Sequence, residues 1–205
     1  MKNKIIKDAL ALTLITLVAG VALGGVYEIT KDPIAKQEAQ AKAEAYEQVF
    51  TDAAAFEALE MDDTLTKTIR DQLDQEGYKA QSIEEVMRAE DQSGETLGYA
   101  FAVITSEGYG GDIRFSMGVQ NDGTLNGISI LSIGETAGLG MNADTPAFKD
   151  QFVGKQVEKL QYTKNGATQD DEINAISGAT VTTNAMTNGV NAGLCAFRVM
   201  EGGDQ

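Results

Sequence analysis

Lys2, Lys4 and Lys7 stand before a mostly apolar stretch, Ala9 to Val26, that carries no charged residue and is bounded by Asp8 and Glu28. A run of this kind can satisfy its backbone away from water only by forming a helix. Its 18 residues rise about 27 Å, enough to just cross the hydrocarbon core of a bilayer. The pattern predicts a transmembrane helix over 9–27 behind a short N-terminus, 1–8. Lysines concentrate on the cytoplasmic side of such helices, so the chain from Glu28 onward is expected outside the cytoplasm, held by a single pass in the cell (inner) membrane. The competing reading is a cleaved signal peptide, for which Ala22-Leu23-Gly24 offers small residues. The apolar core is longer than a signal's usual one, and both readings put the remaining chain on the same side.

Subtracting Asp8 and the three leading lysines from the chain's 16 basic and 31 acidic residues leaves 13 and 30 beyond the apolar stretch, a net charge of −17. That balance argues against binding nucleic acid or adhering to anionic lipid, and its plainest use is to keep an exposed domain soluble. With one cysteine and no histidine, the chain lacks the residues for a zinc site, an intrachain disulfide, a cysteine-ligated iron–sulfur cluster or a Ser-His-Asp triad. No metal site and no catalytic side chain is expected. Cys195 falls near the apolar face of a C-terminal helical pattern, where a small buried thiol is expected rather than a reactive one. Any handling of electrons has to use a borrowed cofactor.

The rest reads as an α+β domain, a mainly antiparallel sheet flanked by helices, over 61–205, joined to the anchor by a helical connector over 28–60. In the connector, Lys36 to Leu59 is rich in Ala, Glu, Gln and Lys, with Ala45, Val49, Phe56 and Leu59 able to line one side of a helix or a broken pair of helices. Thr64 to Leu73 is a second helical candidate. Ser82 to Arg88 is a third, with Glu85 placed to close a capping box on Ser82. Leu97 to Thr105, Ile113 to Gln120 and Leu125 to Ile133 read as strands separated by turn residues. Lys159 to Thr163 and Thr168 to Ile173 suggest a hairpin across Asn165-Gly166.

Ser177-Gly178-Ala179-Thr180-Val181-Thr182-Thr183 runs straight into a pattern in which Met186, Val190, Leu194 and Phe197 share one helical face. Thr182 or Thr183 would be its N-cap. Unpaired N–H groups and the positive end of the helix make such a turn suited to a phosphoryl group, and Gly178 and Ala179 leave room for it. From Ala175 to Met200 there is no Asp or Glu, where the average composition would place about four. An ordinary capped amphipathic helix has the same appearance.

Asn174-Ala175-Ile176-Ser177-Gly178-Ala179-Thr180 resembles the flavinylation motif, Asp-x-x-Ser/Thr-Gly-Ala-Thr, of the FMN-binding domain shared by the G subunit of the Rnf electron-transport complex and the C subunit of the sodium-pumping NADH:quinone reductase. Asn174 stands where that family usually has an acidic residue. Gly108-Tyr109-Gly110-Gly111-Asp112-Ile113, Asp122 to Ile128, and Glu135-Thr136-Ala137-Gly138-Leu139-Gly140 match further segments in order, Ala137 replacing a proline. The resemblance implies that a flavin transferase joins the phosphate of FMN to Thr180. Ser177 and the backbone of Gly178 and Ala179 would position that phosphate, with Thr182 adding a hydrogen bond. It also implies that Thr136, Leu139 and Gly140 pack against the isoalloxazine ring. Tyr109 is a stacking residue or a plain turn residue, and Lys155 a phosphate partner or solvated surface. Glu135 is expected to fix its loop by accepting backbone hydrogen bonds. A flavin fits the chain's lack of redox side chains, because the ring carries the chemistry and the protein binds and orients it.

The implied function is an electron carrier within an ion-translocating, ferredoxin:NAD oxidoreductase of Rnf type, working with other membrane subunits and itself binding neither ferredoxin nor NAD. Length favours the Rnf protein over its usually longer counterpart in the quinone reductase. A stand-alone extracytoplasmic flavoprotein reductase and a non-redox anchored binding domain are the alternatives.

Overall fold

A computed structural model describes residues 2–202. Met1 and residues 203–205, the outer ends of the expected first and last segments, lie outside the described residues. The chain divides into two compact units, one up to Ala41 and one from Lys42. The first is helical throughout its described length, as part of α1 (Lys2–Val49), which contains Pro33. It includes a segment long and apolar enough to cross a membrane, and none of that segment is buried within the protein.

The second unit is the α+β domain. Five strands, β1 (Ala55–Ala58), β2 (Gln81–Glu90), β3 (Thr96–Thr105), β4 (Ile113–Gln120) and β5 (Leu125–Ser132), pair antiparallel in sequence order. Alternation along β3 assigns its faces: Phe101 and Val103 pack with Phe115, Met117 and the helices, while Ala100 and Ala102 point the other way. Against the large-residue face lies α4 (Thr180–Gly202), with Met186, Val190, Leu194 and Phe197 all buried as their spacing predicts. Beside it lies α2 (Asp63–Glu76), capped by Asp62, whose carboxylate accepts from Leu65 N at 2.7 Å. The small-residue face receives the last turns of α1 and the residue after it, Tyr46, Val49 and Phe50 being buried on Ala89, Ala100 and Ala102. Ser116 Oγ donates to the carbonyl of Ala45 at 3.1 Å, and the Tyr46 hydroxyl donates to Glu85 at 3.0 Å.

Three local expectations are corrected. Lys36 to Leu59 is not helical to its end: α1 stops at Val49, and Phe56 lies in edge strand β1, paired with Ala89. The second unit therefore begins inside the expected connector. Ser82 to Arg88 is strand β2, not a helix. Its helical look comes from a bulge: Ile83 pairs with Val103 and Glu85 with Ala102, leaving Glu84 unpaired in the ladder. The extra residue puts Ile83 and Val86, three apart, on the same face, which is the spacing of a helix. Finally, β6 (Gln161–Thr163) and β7 (Glu172–Asn174) pair parallel, not as a hairpin. Between them, Glu172 Oε2 accepts from Thr168 N and Gln169 N, and Asn174 Oδ1 from Ala167 N, so side chains turn the loop in place of a two-residue hairpin turn.

Candidate functional site

At the N-terminus of α4 three loops close around one cleft of about 530 Å³, within the range of small-molecule sites. One wall is the turn after β3, with Tyr109. The second is the loop after β5, with Glu135, Thr136, Leu139 and Gly140, where the carbonyl of Thr136 accepts from both Leu139 N and Met141 N. The floor is Gly178, Ala179, Thr180, Val181 and Thr182. Nine of the eleven residues singled out in the sequence thus meet in one place. Ser177 is exposed in the turn that enters α4, outside the lining. Lys155 is elsewhere: its ammonium donates to the carbonyl of Asp170 at 2.6 Å, and its backbone bridges Leu125.

Glu135 ties the three loops together. It is 8% exposed; Oε1 accepts from Gly110 N at 3.0 Å and Oε2 from Thr182 Oγ1 at 2.8 Å. It fixes its loop by accepting a backbone hydrogen bond, as expected, and reaches further, into α4. Gly140 makes room for this clamp, since a Cβ there would collide with Glu135 Oε2 and stand 2.6 Å from Thr182 Oγ1. Gly178 has φ of +75°, which turns the chain into α4 and is open to glycine at little cost.

The capping expectation is corrected as well. Helix α4 begins at Thr180, so Thr182 and Thr183 lie inside its first turn, and Ala179 supplies the first accepting carbonyl, to Thr183 N. Thr183 works backwards: its buried hydroxyl accepts from Ile176 N at 3.0 Å and donates to Ala179 O at 2.9 Å. Thr187 donates to Thr183 O, and Thr182 has given its one proton to Glu135. Thr180 alone among the threonines of α4 has no hydrogen-bond partner for its hydroxyl among the described residues, and it lines the cleft half-buried. Beside it, the N–H groups of Thr180, Val181 and Thr182 precede the first helical bond, Thr183 N to Ala179 O, and carry the positive end of the macrodipole.

Exposure marks the same place. Outside α1, the exposed large apolar residues among those described are Tyr109, Leu139, Val153 and Val181, and all but Val153 line this cleft. Val181 was missed in the sequence, where only its place after Thr180 pointed to it. A cleft with apolar sides, an unpartnered hydroxyl and free N–H groups at its floor fits a flat heteroaromatic ring carrying a phosphate.

Comparison with known proteins agrees. Residues 108–194 match the FMN-binding domain, and residues 1–49 match the RnfG N-terminal region; the class is an FMN-binding domain behind an N-terminal apolar helix. The G subunit of the Na(+)-translocating ferredoxin:NAD(+) oxidoreductase complex of Acetobacterium woodii is 32% identical over 95% of this chain and 92% of its own. Its counterpart in the proton-translocating ferredoxin:NAD(+) oxidoreductase complex of Clostridium ljungdahlii is 28% identical over 98% and 96%. The chain belongs to the RnfG family, the G subunits of ion-translocating oxidoreductase complexes. The crystal structure of Shewanella oneidensis NqrC covers 58% of this chain and 59% of its own, with 21% identity and a TM-score of 0.49.

Proposed function

We propose that this protein carries electrons on one FMN joined covalently through Thr180, on the extracytoplasmic side of the membrane, within a ferredoxin:NAD oxidoreductase of Rnf type. The observation that carries the reading is the Thr180 hydroxyl, unpartnered at the mouth of a helix while its threonine neighbours are committed. In the attachment, the Thr180 oxygen bonds to the FMN phosphorus of FAD, the pyrophosphate P–O bond breaks, AMP leaves, and the hydroxyl proton passes to solvent; a flavin transferase would catalyse this. The flavin supplies reversible uptake of electrons and protons. The chain's part is to hold it: first-turn N–H groups of α4 against the phosphate, Leu139, Val181 and Tyr109 against the ring, and Glu135 holding the walls in register.

Expressed with a flavin transferase, the wild-type chain should show ultraviolet-excited fluorescence on a denaturing gel, and Thr180→Ala none. A wild-type band without flavin would end this reading. Loss in Thr182→Ala with retention in Thr180→Ala would move the site.

Orientation rests on the lysines before the apolar segment. Protease added to intact cells stripped of any outer barrier should digest the domain; protection would reverse the topology.

A further inference from the structure

Of the residues that line the cleft, Glu135 alone carries a formal charge. No cation forms an ion pair with it among the described residues, and its two contacts are to neutral donors, Gly110 N and Thr182 Oγ1. If holding the loops were its whole task, an amide could make the same two contacts without desolvating a charge. A buried, unpaired carboxylate where a redox ring is to be seated has an electrostatic effect that an amide would not have.

We propose that Glu135 sets the cleft's charge and thereby holds the reduction potential of the bound flavin low. The inference rests on the reading that this cleft holds the flavin. Two-electron reduction of a flavin takes up two electrons and one or two protons; with one proton, the ring gains one negative charge. The electrons come from a reduced redox partner in the complex and, in the experiment below, from dithionite. The sign of the surrounding charge follows by addition. Glu135 contributes one negative charge and the phosphodiester at Thr180 another, against roughly half a positive charge from the N-terminus of α4. Glu107, held by Asn188 at 2.7 Å and Asn184 at 3.5 Å on the next turns of the helix, has the same sign as Glu135. The cleft therefore favours the oxidised ring, and water exclusion strengthens the effect.

The test uses the full-length flavinylated chain in detergent, titrated with dithionite in the presence of redox mediators. In Glu135→Gln the amide oxygen can accept from Gly110 N while the amide N–H₂ donates to Thr182 Oγ1, so the clamp keeps its contacts and loses its charge. The midpoint should move to a more positive potential, with Glu135→Asp closer to wild type. An unchanged or more negative midpoint in loaded Glu135→Gln overturns the proposal. Should Glu135→Gln not acquire flavin, Tyr109→Lys places a cation at the cleft mouth without touching the clamp; a positive shift relative to Tyr109→Met is expected, and its absence overturns the proposal. Wild-type chain without covalent flavin on the gel would defeat the underlying reading before any potential is measured.

Discussion

Thr183 shows how much one hydroxyl can hold. Fully buried, it supplies the acceptor for Ile176 N seven residues back and returns its proton to Ala179 O, so the turn that presents Thr180 hangs on a single side chain. Valine has nearly the same shape but would leave the Ile176 N–H buried and unpaired, at a cost of about 1–3 kcal/mol. Thr183→Val should therefore lower the unfolding free energy from urea titration by that margin, while Thr183→Ser stays near wild type; a loss in Thr183→Ser with none in Thr183→Val would mean the methyl group matters, not the hydroxyl.

Among elements, α2 and α4 share a polar link beside their apolar packing. Arg198 donates to both oxygens of Glu76 at 3.1 Å, and the thiol of Cys195 to Oε1 at 3.4 Å. Burial pushes the Glu76 carboxyl up, but hydrogen bonds from Gln72, Cys195 and Arg198 outweigh it and hold the group below its ordinary 4.5. A depressed carboxyl contributes stability above its unfolded value and loses it as pH falls through the folded one. Arg198→Met should thus cost about 1 kcal/mol at pH 7, with the gap to wild type narrowing below about pH 4; a gap constant with pH would mean only lost packing. Cys195, pushed up to about 12 by burial and then by Glu76, has the opposite dependence, with stability present below its ordinary range and lost as pH climbs above it. These elements were not equally legible in the sequence. Strands β3, β4 and β5 announce themselves as apolar runs bounded by turn residues, and the buried side of α4 by its helical spacing. Strand β2 does not, because the bulge at Glu84 converts a two-residue period into a three-residue one. Thr183 and the Glu135–Thr182 bond join residues distant along the chain or unrelated to local pattern. Lys155 shows the converse: a lysine beside recognisable motifs pointed at Asp170 O.

At the scale of the molecule, the division after Ala41 has a consequence for what can fold alone. The last turns of α1 and the residue after them belong to the domain's core: Tyr46, Val49 and Phe50 are each no more than 4% exposed. Burial of side chains this size contributes roughly 1.5–3 kcal/mol apiece, comparable in sum to the whole stability of many domains. A chain beginning at Lys42 should unfold cooperatively in water without detergent, and one beginning at Thr51 should not; cooperative unfolding of the shorter chain would remove α1 from the core. At the opposite side of the sheet, Thr180 is the first residue of the helix that packs into the larger apolar cluster. A diffusing cofactor stabilises its host by mass action and is lost on dilution. A flavin esterified at Thr180 has an effective concentration set by the length of its own linkage and independent of volume. It would count toward folding as an extra side chain does, so the melting temperature of the loaded domain should be indifferent both to dilution and to free FMN.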